Sequence, residues 1–361
     1  NSRPQTAQKF LRASHSAQPE GCFGMSKLLE LISATIDGEV NTAENVERAF
    51  AEMLSGDASP VRMASFLTAL RTRGETVGEI VGAVRAMRAA MARVDAPDGS
   101  VDVVGTGGDG AHTYNISTAV SFVVAGAGVP VAKHGNRAAS SKSGAADVLA
   151  ELGVNLDANP QTVKRAIQQA NIGFMMAPKY HSAMRHVGPV RQELGIRTLF
   201  NILGPLSNPS GATRQLIGVF SPVYLERMAA ALAELGTDRA WLVHGCGLDE
   251  MALHGPTDVV ELDGGNIRTF TISADELGLT PAPIEAIRGG EPAENAAALK
   301  SVLAGTPSAY LDMVLLNSAG ALVVANKAED LAEGIAIARM SIDSGAAQSA
   351  LESLVRITNE E

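Results

Sequence analysis

Residues 101–110, VDVVGTGGDG, set a short valine-rich run directly against a glycine-rich loop. Val101 to Val104 read as a buried strand, the glycines as a tight turn, and residues 117–127 as the helix that follows. A strand, glycine loop and helix in that order open an α/β unit. Downstream, residues 129–132 read as a second strand, 145–152 and 163–170 as helices, and 172–177 as a third strand. Residues 216–219 and 240–244 are further strands around a helix at 224–235. Strands near 259–262 and 267–272 precede C-terminal helices. Alternating strands and helices predict a mostly parallel central sheet.

Upstream, the rhythm is helical. Leu28, Leu29, Ile32 and Ile36, then Ala49, Phe50, Met53 and Leu54, recur at helical spacing. Breaks at Asp37-Gly38, Gly56-Asp57 and Arg73-Gly74 divide residues 26–94 into four short helices, a small bundle closed by the linker Asp95-Ala96-Pro97-Asp98-Gly99. A helical stretch at 189–203, ending in Gly204-Pro205 and Asn208-Pro209, interrupts the α/β pattern and is expected to return to that bundle. The expected organisation is therefore a helical domain over 25–96, completed by about 186–208, and an α/β domain over 97–185 and 209–361. Met25-Ser26-Lys27 is a plausible start, so residues 1–24 read as an extension or expression remnant, largely disordered.

Bulk properties narrow the function. A net charge of −10 argues against a chain that coats nucleic acid, so an anionic ligand must meet a local basic patch. No apolar run approaches bilayer length, the N-terminal stretch lacks a secretory h-region, and two cysteines fit a reducing cytoplasm. The loop at Gly105-Thr106-Gly107-Gly108-Asp109-Gly110 has dinucleotide spacing, but the second strand runs into Lys133-His134-Gly135 where an acidic residue would hold the ribose. Residues 135–143 also lack the glycine that precedes the lysine of a nucleotide-kinase loop. What remains is a phosphate cradle, backbone N–H groups backed by the helix opening at Asn115-Ile116-Ser117-Thr118. A carboxylate at Asp109 would repel bare phosphate, so it is expected to face sugar hydroxyls or organise a metal-bound ligand. The plainer alternative is a tight turn that Asp109 caps.

The second loop, KHGNRAASSKSG at 133–144, gathers cations and hydroxyls in an acidic chain. On the carboxyl edge of the sheet it would face the same crevice, with Lys133 neutralising a pyrophosphate and the serines and amides holding a 5′-phosphate. A solvated basic loop is the alternative, and His134 is open between a structural and a catalytic role. Asp249-Glu250, after the strand at 240–244, form a carboxylate pair suited to Mg²⁺, which Ser117 would complete. Arg191 offers forked donors to a planar carboxylate.

GTGGD at 105–109, NIST at 115–118, KHGNRAASSKSG at 133–144, ADVLAELG at 146–153 and PVRQELGIRTLFNILGPLSNP at 189–209, in this order, closely resemble the anthranilate phosphoribosyltransferase family. The resemblance runs from Met25 to the C-terminus. It implies a helical bundle plus an α/β domain of the nucleoside phosphorylase and phosphoribosyltransferase type, a homodimer, and a site between the domains. It further implies transfer of phosphoribose from phosphoribosyl pyrophosphate (PRPP) to the amine of anthranilate, with Mg²⁺, in tryptophan biosynthesis. Matching donor positions in the first motifs are Gly105, Gly108, Asp109, Thr113, Asn115, Ile116, Ser117 and Thr118. In the second loop they are Lys133, His134, Gly135, Asn136, Arg137, Ala138, Ala139, Ser140 and Ser141, with Ala145 close by, where relatives often carry serine. The anthranilate positions match Gly105, Asn136 and Arg191, and the metal positions Ser117, Asp249 and Glu250. Lys133 and Asp109 are the catalytic candidates, Lys133 by stabilising charge on departing pyrophosphate. Two rivals are a pyrimidine nucleoside phosphorylase and a catalytically silent relative that binds nucleic acid or a partner. KHGNR with Arg191 speaks against the first, and Asp249-Glu250 with the acidic charge against the second.

Overall fold

The computed structural model describes residues 27–138 and 142–360. The expectations for residues 1–24 and for a start at Met25 fall outside them. The chain begins with α1 (Lys27–Ile36), α2 (Ala43–Ser55), α3 (Pro60–Arg73) and α4 (Val77–Ala90). Local chemistry sets these ends: Thr42 accepts from the Asn45 N–H, Gly56 closes α2 at φ 90°, and Ser59 precedes Pro60 in the first turn of α3. Thr76 and Glu79 form a reciprocal capping box on α4.

Next come β1 (Val101–Gly105), α5 (Ile116–Gly126), β2 (Val131–Gly135), α6 (Ala145–Glu151), α7 (Pro160–Ala170) and β3 (Ile172–Met176). Then follow α8 (Ala177–Tyr180), a 3₁₀ turn (Ser182–His186), α9 (Gly188–Leu194) and α10 (Phe200–Leu203). β4 (Arg214–Gly218), α11 (Leu225–Glu234), β5 (Arg239–Gly245), β6 (Thr257–Asp263) and β7 (Asn266–Ile272) complete the sheet. The chain closes with α12 (Pro292–Leu303), α13 (Ala309–Val324), α14 (Leu331–Asp343) and α15 (Ala346–Asn359).

The seven strands lie in the order β3-β2-β1-β4-β5-β6-β7. Pairings from β3 to β5 are parallel, and β6 and β7 run antiparallel. Chain order reverses direction at β1, between β2 and β4, so the carboxyl ends of these strands open a crevice there. Residues alternate across the sheet: Ala240 and Leu242 of β5 pack in one apolar cluster, Trp241 and Val243 in the other. The first cluster also contains Phe50, Phe66 and Leu70 of the early helices; the second contains Phe122 of α5 and Leu315 of α13.

The second strand was expected over 129–132 but runs from Val131 to Gly135, so Lys133, His134 and Gly135 belong to a strand rather than a loop. Burying a lysine ammonium within a strand is costly unless it is paired. Here its ammonium finds oxygen partners, described below. The stretch at 189–203 is not one helix, because Gly195 turns left-handed at φ 61° and separates α9 from α10. Both helices return to the early bundle: α9 packs on α3, α10 on α4, and the Phe200 ring lies 5.2 Å from Phe50.

Candidate active site

The crevice is a cleft of about 770 Å³ over the ends of β1 and β2. Its floor depends on missing side chains. A Cβ on Gly105 would lie 2.5 Å from Asp249 Oδ2, and one on Gly218 of β4 only 1.5 Å from the Asp249 carbonyl oxygen. The turn carrying Asp249 therefore sits directly on the backbone of β1 and β4. Gly107, at φ 68°, donates its N–H to Asp249 Oδ2 at 2.6 Å. Asp109 accepts the Ala111 N–H at 3.0 Å through Oδ1 and the Asp249 N–H at 3.4 Å through Oδ2. Asp109 thus braces its own turn while it lines the cleft.

Lys133 is 2% exposed, and its Nζ donates to the Val103 carbonyl at 2.7 Å and to Ser117 Oγ at 3.2 Å. Burial pulls its pKa down to about 8, against the opposing charges of Asp102 and Glu250. Asp102, fully buried beneath it, accepts the His134 N–H at 3.2 Å and is pushed up to about 6 by burial. Burial, then the charge of Asp109, raises the Asp249 carboxyl; burial, then the charge of Asp249, raises Glu250 well above its ordinary value. The nearby Ser117 backbone N–H opposes that rise at Glu250. Adjacent desolvated carboxylates beside a serine hydroxyl are costly as they stand and suited to a hard divalent cation. Among the described residues no cluster of three or more Asp, Glu, His or Cys side chains forms a complete cage. Magnesium takes few carboxylates and fills its shell with water and substrate oxygens.

The second loop is tied at its base by Asp147, whose Oδ2 accepts the N–H groups of Ala138 and Gly144, both at 2.9 Å. Its Oδ1 takes Arg137 Nη1 at 2.8 Å, holding that cation at the rim. Asn136 is exposed, and Ala145 opens α6 beside Gly135. Ala139, Ser140 and Ser141 lie outside the described residues. Also in the cleft wall, His134 and His181 pair with ring centroids 5.0 Å apart. Burial lowers both, His134 to about 3. Arg191 lies 5.4 Å from the Phe200 ring, is lowered by burial, and has no carboxylate partner among the described residues.

The described candidate residues line this one cleft, with one exception. Thr118 is buried within α5 and forms none of the wall, because an advance of about 100° per residue turns it from the Ser117 face toward the core. Sequence reading missed Asp102, Asp147, His181 and Arg185, the last two within the cleft wall. It also missed Arg197, which lies 4.5 Å from the Phe220 ring and donates to the Gly108 carbonyl. The concentration of basic residues from Lys179 to Arg197 was an available signal.

A family model described as "Glycosyl transferase family, helical bundle domain" matches residues 29–91, and one described as "Glycosyl transferase family, a/b domain" matches residues 98–348. The anthranilate phosphoribosyltransferase of Bradyrhizobium sp. is 56% identical over 336 residues, covering 93% of this chain and 100% of that protein. The crystal structure of the Thermus thermophilus anthranilate phosphoribosyltransferase is similar at TM-score 0.87 and 44% identity, covering 91% of this chain and 99% of that one. The Saccharomyces cerevisiae enzyme in complex with PRPP and Mg is similar at TM-score 0.83 and 31% identity, covering 92% and 97%.

Proposed function

Because the chain belongs to the anthranilate phosphoribosyltransferase family, we propose that its cleft grips PRPP over β1 and β2 and anthranilate beside Arg191. The reaction transfers phosphoribose to the anthranilate amine, giving N-(5-phosphoribosyl)anthranilate and pyrophosphate, a step of tryptophan biosynthesis, with Mg²⁺ as cofactor. The observation that carries this assignment is a charge arrangement. Lys133 and the Asp249-Glu250 pair gather around Ser117, while Arg191 lines the same cleft without a carboxylate partner among the described residues.

Asp249, Glu250 and the Ser117 hydroxyl would hold Mg²⁺, which when bound neutralises pyrophosphate charge. Lys133, fixed between Val103 and Ser117, presents a pre-placed cation to the leaving group. Gly105, Gly108, Asp109, Thr113 and the first turn of α5 frame the ribose and its phosphates. The second loop, from Asn136 toward Ala145, encloses the 5′-phosphate. Arg191, with Asn136 and Gly105, orients the acceptor carboxylate. Positioning supplies most of the rate, because the aromatic amine is already neutral at pH 7 and its proton can leave to the substrate carboxylate or to solvent. No side chain needs to act as base.

The helical bundle at 25–96, completed by 186–208, and the α/β remainder form the two walls in this reading, supported by the shared packing of Phe50 and Phe200. A homodimer is part of the proposal. Ile36, Val40 and Val61 are 69%, 65% and 76% exposed on α1, just beyond it and on α3, helices that pack together. A cytoplasmic location is supported by the cysteine usage, and no described helix is long and apolar enough to cross a membrane. Incubating the chain separately with anthranilate plus PRPP and with thymidine or uridine plus orthophosphate tests the assignment. Pyrophosphate release in the first supports it, and free pyrimidine base in the second would favour a nucleoside phosphorylase.

A further inference from the structure

The donor loops are braced from a segment about which neither their motifs nor the cleft wall gives any hint. Residues 287–290 run against residues 112–114: Tyr114 donates its N–H to the Ile287 carbonyl, and Gly289 donates to the His112 carbonyl, both at 2.9 Å. A Cβ at Gly289 would come within 2.7 Å of the Thr113 carbonyl oxygen, so the two strands of backbone are in direct contact. From this segment a chain of amides leads back to the site. The Gly290 N–H donates to Asn295 Oδ1 at 2.7 Å, Asn295 Nδ2 donates to Asn115 Oδ1 at 2.9 Å, and Asn115 Nδ2 donates to the Ser143 carbonyl at 3.2 Å.

The direction of this chain is fixed by its ends. A backbone N–H at Gly290 can only donate and a backbone carbonyl at Ser143 can only accept, so both amide side chains must be oriented as found. Asn295 is 2% exposed, and such a relay is cooperative when every member is satisfied. Asn115 precedes the first turn of α5 but makes no side-chain cap bond there; both ends of its amide are spent in the relay. Its carbonyl is held separately by the Tyr310 hydroxyl at 3.1 Å, with the Tyr310 ring stacked 4.5 Å from Tyr114. Lys142 reaches Glu291 at 3.3 Å across the same gap.

We propose that Asn295 is a positioning residue for the PRPP site, acting through Asn115 to hold the start of α5 and the end of the second loop in register. The inference rests on the proposed function. The test is a double-mutant cycle on the full chain with Mg²⁺ present: Asn295→Ala, Asn115→Ala and the double variant, each with KM for both substrates, kcat and a thermal midpoint. Asn295→Asp serves as the isosteric variant: it keeps the acceptor for Gly290, replaces the donor to Asn115 by an acceptor and adds a buried charge, so its thermal midpoint is read beside its KM values. Asn295→Asp and Asn295→Ala are expected to raise KM for PRPP about tenfold, leaving KM for anthranilate nearly unchanged. In the Asn115→Ala background, adding Asn295→Ala is expected to change KM for PRPP by less than about twofold, because the two act as one unit. Multiplying effects, or a lower midpoint with both KM values unchanged, would overturn the role. An unmodified chain without turnover would instead overturn the functional reading, and this role with it.

Discussion

Lys133 Nζ lies 2.7 Å from the carbonyl oxygen of Val103, on the neighbouring strand, and this bond stations an ammonium at the floor of the cleft. A buried strand tolerates the charge because Val103 and Ser117 accept from it and Asp102 and Glu250 oppose its desolvation.

Lys133→Met keeps the apolar stem but leaves Asp102, Glu250 and the Val103 carbonyl without their partner, so a lower thermal midpoint is expected together with a fall in kcat of roughly a hundredfold or more. In the unmodified chain kcat/KM is expected to decline above pH about 8, where the Lys133 ammonium gives up its proton. Steady-state rates across pH, with a thermal midpoint for each protein, check both statements.

The carboxylate pair gives a pH signature without metal. Asp249 is raised from 3.8 to about 7, so between those values the folded form keeps a proton that the unfolded chain releases. Its contribution to stability is full below the unfolded value and is lost as pH rises toward about 7. Asp249→Asn with Glu250→Gln removes this component. The variant is therefore expected to gain stability relative to the parent as pH climbs through that window, and to lose the magnesium dependence of the rate. Thermal midpoints in a chelator, at matched pH, measure the difference.

Gly218 is expected to be as intolerant as any catalytic residue. Gly218→Ala would place a methyl 1.5 Å from the backbone oxygen of Asp249, so the turn must move, at a cost of about 1–3 kcal/mol. Gly107→Ala, with open space around it, meets only the conformational penalty of φ 68°, about 1 kcal/mol. Urea midpoints rank the two, and a magnesium titration of the rate should shift mainly for Gly218→Ala.

Arg191 should divide the substrates. Arg191→Leu is expected to raise KM for anthranilate by about ten- to a hundredfold, since a charge-assisted pair is lost, with KM for PRPP nearly unchanged. Equal shifts in both would mean that the arginine supports the fold rather than the acceptor.

Much of this site was legible because its chemistry is local in sequence. The glycines from 105 to 110 with Asn115 and Ser117, the basic loop and the Asp249-Glu250 pair each announce a ligand through residue type. The alternating strands and helices likewise announced the parallel sheet. The rest depends on contacts between distant segments. Lys133 was read as a loop residue because its oxygen partners, Val103 and Ser117, become visible only when β2 lies beside β1. Thr118 was grouped with its neighbours by motif, and helical rotation separates it from them. Asp102 and Asp147 read as ordinary acids until the fold places one beneath Lys133 and the other at the base of the second loop.

The most direct test follows anthranilate fluorescence in the unmodified chain with PRPP and Mg²⁺, beside reactions lacking either the donor or the metal. The account predicts a loss of fluorescence only in the complete mixture, accompanied by release of one pyrophosphate for each anthranilate consumed. Persistence of the signal in the complete mixture, or its loss without PRPP, would contradict it.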